Sequence, residues 1–130
     1  MPNSVYIDTS AYIALLNPQD AHHNRALKII PSLEKLQPIT SQAVLGEVLT
    51  VGSMRFDKSA SINFVKTILK SNTQIVLEKN VVVEEAFQLF QKTTSKNVSW
   101  VDCYSQAIIN HYQISKIFTF DNDFKQLNQL

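Results

Sequence analysis

The chain has 130 residues, 45% of them apolar and 18% charged, with only two glycines and four prolines. That balance excludes a disordered or low-complexity chain and fits a single domain spanning residues 1–130. A lone cysteine excludes an internal disulfide, and no run approaches the roughly 18 apolar residues of a membrane-spanning helix, so a cytoplasmic protein without a membrane partner is expected.

Ser4 to Ile7 is short and apolar and ends on Asp8, the pattern of a buried first strand. Carrying that acid and no basic leader, the stretch from Met1 to Leu16 does not read as a secretory signal. Thr9 to Leu16 is predicted helical and Asn17-Pro18 breaks it. A second helix is expected over Asp20 to Ile30, with Pro31 either kinking or ending it. Pro38-Ile39-Thr40 leaves room for a brief strand, after which Thr40 or Ser41 caps a helix running to about Val51, with Gly52 as its stop.

Lys58 to Lys70 is amphipathic, with Ile62, Val65, Ile68 and Leu69 on one side. Gln74 to Leu77 reads as a strand. Asn80 is placed to cap a helix in which Val83, Ala86, Phe87 and Phe90 recur at helical spacing, and Ser99 to cap another over Val101 to Tyr112. Ile117 to Phe120 is the last strand and ends on Asp121. Strands alternating with helices predict an α/β fold, a parallel sheet of four or five short strands covered on both faces. Ligands bind such sheets beyond the carboxyl ends of the strands, where Asp8 and Asp121 should project.

Asp8, Glu47, Asp102 and Asp121 are the candidate ligands of one divalent-metal site. Taken singly, three have ordinary explanations: Asp8 as a helix N-cap, Asp102 as the partner of Ser99 in a capping box, and Asp121 in an Asx-turn or as the cap of a short final turn toward Leu127. Glu47 differs. On a helix stepping 100° per residue, with Ala43 at zero, Val44, Val48 and Val51 fall at roughly 100°, 140° and 80°, and Glu47 falls beside them at roughly 40°. A carboxylate on that apolar arc must be paired, protonated or bound to a cation, and no basic residue shares its helix before Arg55. Gly46 costs about 1 kcal/mol in a helix interior relative to Ala, for which close approach of another backbone is one reason. Oxygen-only ligands favour Mg²⁺ or Mn²⁺, and such a site suits metal-assisted phosphodiester hydrolysis.

Setting these four and Asp123 aside from the eleven acids leaves six against twelve Lys and Arg, a surplus that suits a polyanionic partner or, equally, an ordinary solvated surface. Other chemistries fit less well. No Gly-rich stretch exists to cradle a phosphate. Asp8-Thr9-Ser10 lacks the second Asp of phosphatases that form an aspartyl-phosphate. Cys103 and His111 stand about two turns apart on one helix, too far for a direct hydrogen bond, so Cys103 reads as structural. His22 and His23 face different directions on a helix and make a poor zinc pair. Asp121-Asn122-Asp123 lacks the Gly and closing Glu of a calcium loop. Trp100 and the phenylalanines read as core.

The segments Val5-Tyr6-Ile7-Asp8-Thr9-Ser10, Thr40-Ser41 leading to Gly46-Glu47-Val48, Ser99-Trp100-Val101-Asp102, and Phe118-Thr119-Phe120-Asp121-Asn122-Asp123-Phe124, in that order, resemble the PIN-domain ribonucleases, and within them the small toxins of VapC type. The resemblance covers nearly the whole chain. It implies a three-layer α/β/α sandwich and Mg²⁺- or Mn²⁺-dependent cleavage of RNA, with Asp8, Glu47, Asp102 and Asp121 matching the acidic quartet. Ser10 and Thr119 match hydroxyl residues that orient the carboxylates, and Asp123 falls at a variable place as a fifth candidate ligand. The resemblance further implies a homodimer and a small antitoxin as partner, with Pro31 departing from a segment that is usually helical. The expected function is therefore that of a metal-dependent endoribonuclease, probed against two alternatives: a nonhydrolytic RNA-binding or regulatory module of the same fold, and a DNA-directed nuclease.

Overall fold

The computed structural model describes residues 1, 3–94 and 96–121, together with the backbone of a two-residue strand at 128–129. Strand β1 (Ser4–Ile7) leads through Asp8 into α1 (Thr9–Leu16), followed by α2 (His23–Ile29) and a 3-10 turn, Ile30–Leu33. Then come β2 (Gln37–Ser41), α3 (Gln42–Arg55), α4 (Lys58–Lys70), β3 (Gln74–Val76), α5 (Asn80–Lys92), α6 (Trp100–Tyr112), β4 (Lys116–Phe118) and β5 (Asn128–Gln129).

The five strands form one sheet in the order β3-β2-β1-β4-β5, and every neighbouring pair is parallel. Central β1 sets the register: Tyr6 faces Ile39 on one side and Ile117 on the other. Successive strand residues point to opposite faces, and all four residues of β1 are buried. Both faces of the sheet are therefore covered, which is the expected α/β/α sandwich. Tyr6, Ile39, Ile117 and Phe118 belong to a core cluster that also takes in Val44 and Val48 of α3 and Ile108 of α6.

Several element boundaries differ from the sequence expectation, each for a local reason. Asp20 precedes α2 instead of opening it. Its amide donates to Asn17 O and its carboxylate accepts from the His22 amide at 2.9 Å, so these residues make a turn. Pro31 ends α2, since it lies in the 3-10 turn, where its missing N–H is tolerated. Ser41, and not Thr40, caps α3 by accepting from Val44 N at 3.2 Å. Asn80 is the first residue of α5, after an N-cap at Lys79. Strand β4 stops at Phe118, two residues early, because the next amides turn toward side chains: Phe120 N donates to Ser10 Oγ and Asp121 N to Thr119 Oγ1.

The glycines correct two further expectations. Helix α3 continues through Gly52 to Arg55, and a Cβ at position 52 would collide with Ser61 Oγ and lie 2.9 Å from Leu16 Cδ2. Gly52 therefore sits where α3, α4 and α1 meet. A Cβ at Gly46 would have nothing within 4 Å, so the close approach expected there is absent and belongs to Gly52 instead.

The buried faces of two helices are also rotated from their predicted stripes. On α4 the buried residues are Ser61, Val65 and Ile68, leaving Ile62 and Leu69 exposed. On α5 they are Val82 and Ala86, with Phe87 and Phe90 exposed. Trp100 is also exposed, against Phe90 and Tyr104, so the assignment of all the large aromatics to the core fails for these residues. Cys103 is buried, as a structural cysteine should be.

Candidate active site

The strand order reverses between β1 and β4. From β1 the chain steps outward to β2 and β3, then crosses to the other side of β1 to lay down β4 and β5. Parallel sheets open a crevice at such a switch point, beyond the carboxyl ends of the strands. Asp8 directly follows β1 and Asp121 stands three residues after β4, so both lie at this crevice.

Asp102 reaches the same place from helix α6. One carboxylate oxygen from each of Asp8, Asp102 and Asp121 lies within 4.8 Å of the others. Three acids that are separately explicable thus share one locus. For Asp102 the ordinary explanation holds as well: its Oδ2 accepts from Ser99 N at 3.0 Å while its own amide donates to Ser99 Oγ at 3.1 Å, a complete capping box. The capping geometry fixes the carboxylate, leaving its second oxygen for other work. Asp8 occupies the N-cap position of α1 yet makes no side-chain capping bond there.

Asp8 is instead held by hydroxyls. It is only 2% exposed. Thr119 Oγ1 donates to Asp8 Oδ2 at 2.9 Å, and Ser10 Oγ lies 3.3 Å from the same oxygen and 3.1 Å from Thr119 Oγ1. Each hydroxyl also accepts a backbone amide, Phe120 N to Ser10 and Asp121 N to Thr119. A consistent chain of donation runs from Ser10 to Thr119 to Asp8, which uses each hydroxyl proton once. Burial drives the Asp8 pKa from 3.8 up to about 6; the Thr119 hydroxyl and Thr9 amide oppose this, and the charges of Asp102 and Asp121 add to it.

Glu47 lines the same cleft from α3, half-buried, but stands outside the mutual spacing of the other three acids. Desolvation raises its pKa; the Thr9 hydroxyl and the Arg55 guanidinium pull the other way, and Asp102 adds to the rise. Arg55, two turns on along α3, contributes the smallest of these effects. The cleft encloses about 630 Å³ and is also lined by Ser10, Ser99, His22, Phe120 and Arg55. Asp123, the fifth candidate ligand, lies outside the described residues.

The sequence reading did not single out Arg55, Thr9, His22 or Phe120 as site residues. Arg55 had a signal, being the first basic residue after Glu47 on that helix. Thr9, 8% exposed, had only its place between Asp8 and Ser10. His22 and Phe120 had none, since they meet only in the tertiary structure.

Comparison with known proteins narrows what this arrangement belongs to. The 23S rRNA-specific endonuclease VapC20 of Mycobacterium tuberculosis, strain H37Rv, is 28% identical over 120 residues, which are 92% of this chain and 91% of that protein. The same figures hold for the protein of that name from strain CDC 1551 / Oshkosh. The crystal structure of Mycobacterium tuberculosis VapC20, a sarcin–ricin loop cleaving toxin, superposes with a TM-score of 0.86 at 27% identity, covering 95% of this chain and 94% of that one. FitAcB from Neisseria gonorrhoeae shares the fold, with a TM-score of 0.70 at 17% identity over 97% of this chain and 96% of that one. The PIN domain model matches residues 5–130, and with the acidic crevice at the strand switch point this establishes that the chain belongs to the PIN domain family.

Proposed function

We propose that this protein is a divalent-metal-dependent endoribonuclease that hydrolyses phosphodiester bonds in RNA, acting as the toxin of a toxin–antitoxin pair. The observation that carries the reading is the meeting of Asp8, Asp102 and Asp121 within 4.8 Å at the mouth of the sheet crevice, in a chain similar over most of its length to a ribosomal RNA endonuclease. Three carboxylates held this close repel one another, and an oxygen-only donor set fits a hard cation, Mg²⁺ or Mn²⁺.

When bound, such a cation supplies Lewis-acid polarisation of a phosphoryl oxygen and a lowered pKa for water. Asp8, Asp102 and Asp121 would hold it directly, and Glu47 through water or as a fourth carboxylate. Thr119, supported by Ser10, aims the Asp8 carboxylate through Oδ2, and the Ser99 capping box aims Asp102. Arg55, on the cleft wall, is placed to pair with a backbone phosphate. A homodimer and a small antitoxin belong to the same reading, tested by light scattering and by co-purification with the product of an adjacent gene.

The direct experiment is cleavage of a sarcin–ricin loop hairpin RNA with Mn²⁺ or Mg²⁺, with and without chelator, beside Asp8→Asn and Asp102→Asn. Cleavage should require the metal and disappear in both variants. Cleavage untouched by chelator would defeat the mechanism, and RNA binding without cleavage in Mn²⁺ would favour the nonhydrolytic module.

A further inference from the structure

One wall of the cleft carries an aromatic pair for which metal-assisted hydrolysis has no use. His22 lies flat on Phe120, with ring centroids 4.6 Å apart and planes 2° from parallel. Both rings are half-buried, and both line the cleft that contains Asp8 and Asp121.

The pair is braced. Phe118 meets Phe120 edge-on at 5.8 Å and 69°, and the Phe120 amide is fixed on Ser10 Oγ at 2.9 Å. The same hydroxyl lies against Asp8, so the platform and the acidic cluster share one support. On the other side, the His22 amide is held by Asp20 Oδ1 at 2.9 Å, and its neighbour His23 is pinned through Nδ1 to Ala14 O at 2.7 Å. The Arg25 guanidinium carbon lies over the Phe120 ring, 5.4 Å from its centroid, a cation–π contact that further holds Phe120.

A rigid ring facing an open cleft presents a π-surface without hydrogen-bond selectivity. Single-stranded nucleic acids are held in this way, because every base offers a π-face. We propose that His22, stacked on Phe120, is a platform for one RNA base flanking the scissile phosphate. This rests on the ribonuclease reading above and gives it a positioning element: the platform fixes a nucleotide relative to Asp121, one residue beyond Phe120. His22 supplies the outer contact surface, and Phe120 keeps it flat.

The test separates binding from turnover. Affinity for a fluorescein-labelled sarcin–ricin loop hairpin RNA is measured by anisotropy in the Asp8→Asn chain, alone and with His22→Leu or His22→Phe added. His22→Leu should weaken binding about tenfold, the loss of one stacked base, whereas His22→Phe should retain the parent affinity. Melting temperatures of the three chains should agree, which removes a folding explanation. Equal affinity of the Leu and Phe variants, whether high or low, overturns the platform, as does failure of the Asp8→Asn chain to bind the hairpin. Because no turnover is needed, a wild-type chain that cleaves nothing defeats the hydrolytic reading without deciding the platform.

Discussion

Asp8 is a carboxylate kept out of water and surrounded by two others, and its pKa records the cost. An acid whose folded pKa of about 6 exceeds its value of 3.8 in the open chain stabilises the fold by binding a proton below 3.8, and that contribution is lost as pH rises through about 6. The difference corresponds to roughly 3 kcal/mol at neutral pH. In chelator, Asp8→Asn should therefore raise the thermal stability at neutral pH by up to that amount, with the gap to the wild type closing as pH falls toward the open-chain value. A gap that does not change with pH would contradict this. Since metal binding needs the ionised acid, activity should fall as pH drops through about 6 and recover with added Mn²⁺. Asp102 separates structure from chemistry at one position. Asp102→Asn keeps an acceptor for the Ser99 amide and should leave stability nearly intact while abolishing cleavage, whereas Asp102→Ala should also lose about 1 kcal/mol of capping energy, read by denaturant unfolding. Individual acids were legible in the sequence because a charge at a strand end or on an apolar arc is conspicuous. Their common locus was not, because Asp8 and Asp102 are far apart in the chain.

At the scale of the element, the two glycines of α3 behave oppositely. Gly52→Ala would drive a methyl group into Ser61 and Leu16 where three helices meet, and should destabilise by about 1–3 kcal/mol. Gly46→Ala meets open space on an exposed position in mid-helix and should stabilise by up to about 1 kcal/mol. Chemical denaturation of the two variants checks both signs in one experiment. The sequence attributed a close contact to Gly46 and only a helix stop to Gly52, because spacing along a helix says nothing about which neighbour packs where. The rotated faces of α4 and α5 have the same origin. Periodicity finds an apolar stripe, but the small residues Ser61 and Ala86, which permit close packing, decide which edge of it is buried.

At the scale of the molecule, the sheet order makes the site. With β4 beside β1, the acids following both strands meet at the switch point, and α6 delivers Asp102 between them. Repulsion among these acids is then a property of the whole fold, and a bound cation would relieve it. Titration with Mn²⁺ should raise the melting temperature, with about 2.7 kcal/mol of stabilisation at a hundredfold excess over Kd, and chelator should reverse the shift. In Asp8→Asn the shift should be much smaller. A wild-type melting temperature indifferent to Mn²⁺ and Mg²⁺ would remove the metal centre.

The sequence by itself determined the alternation of strands and helices and the cap at Ser99, and it marked out Asp8, Glu47, Asp102 and Asp121 as candidate ligands. Each of these is written locally, in the spacing of apolar residues or the chemistry of a chain break. Only the tertiary structure decided that Asp8, Asp102 and Asp121 form the tight cluster while Glu47 lines the same cleft outside it, and that His22 lies on Phe120. Those are distances between residues far apart in the chain. They are set by strand order and helix packing, which depend on the whole molecule burying its core at once.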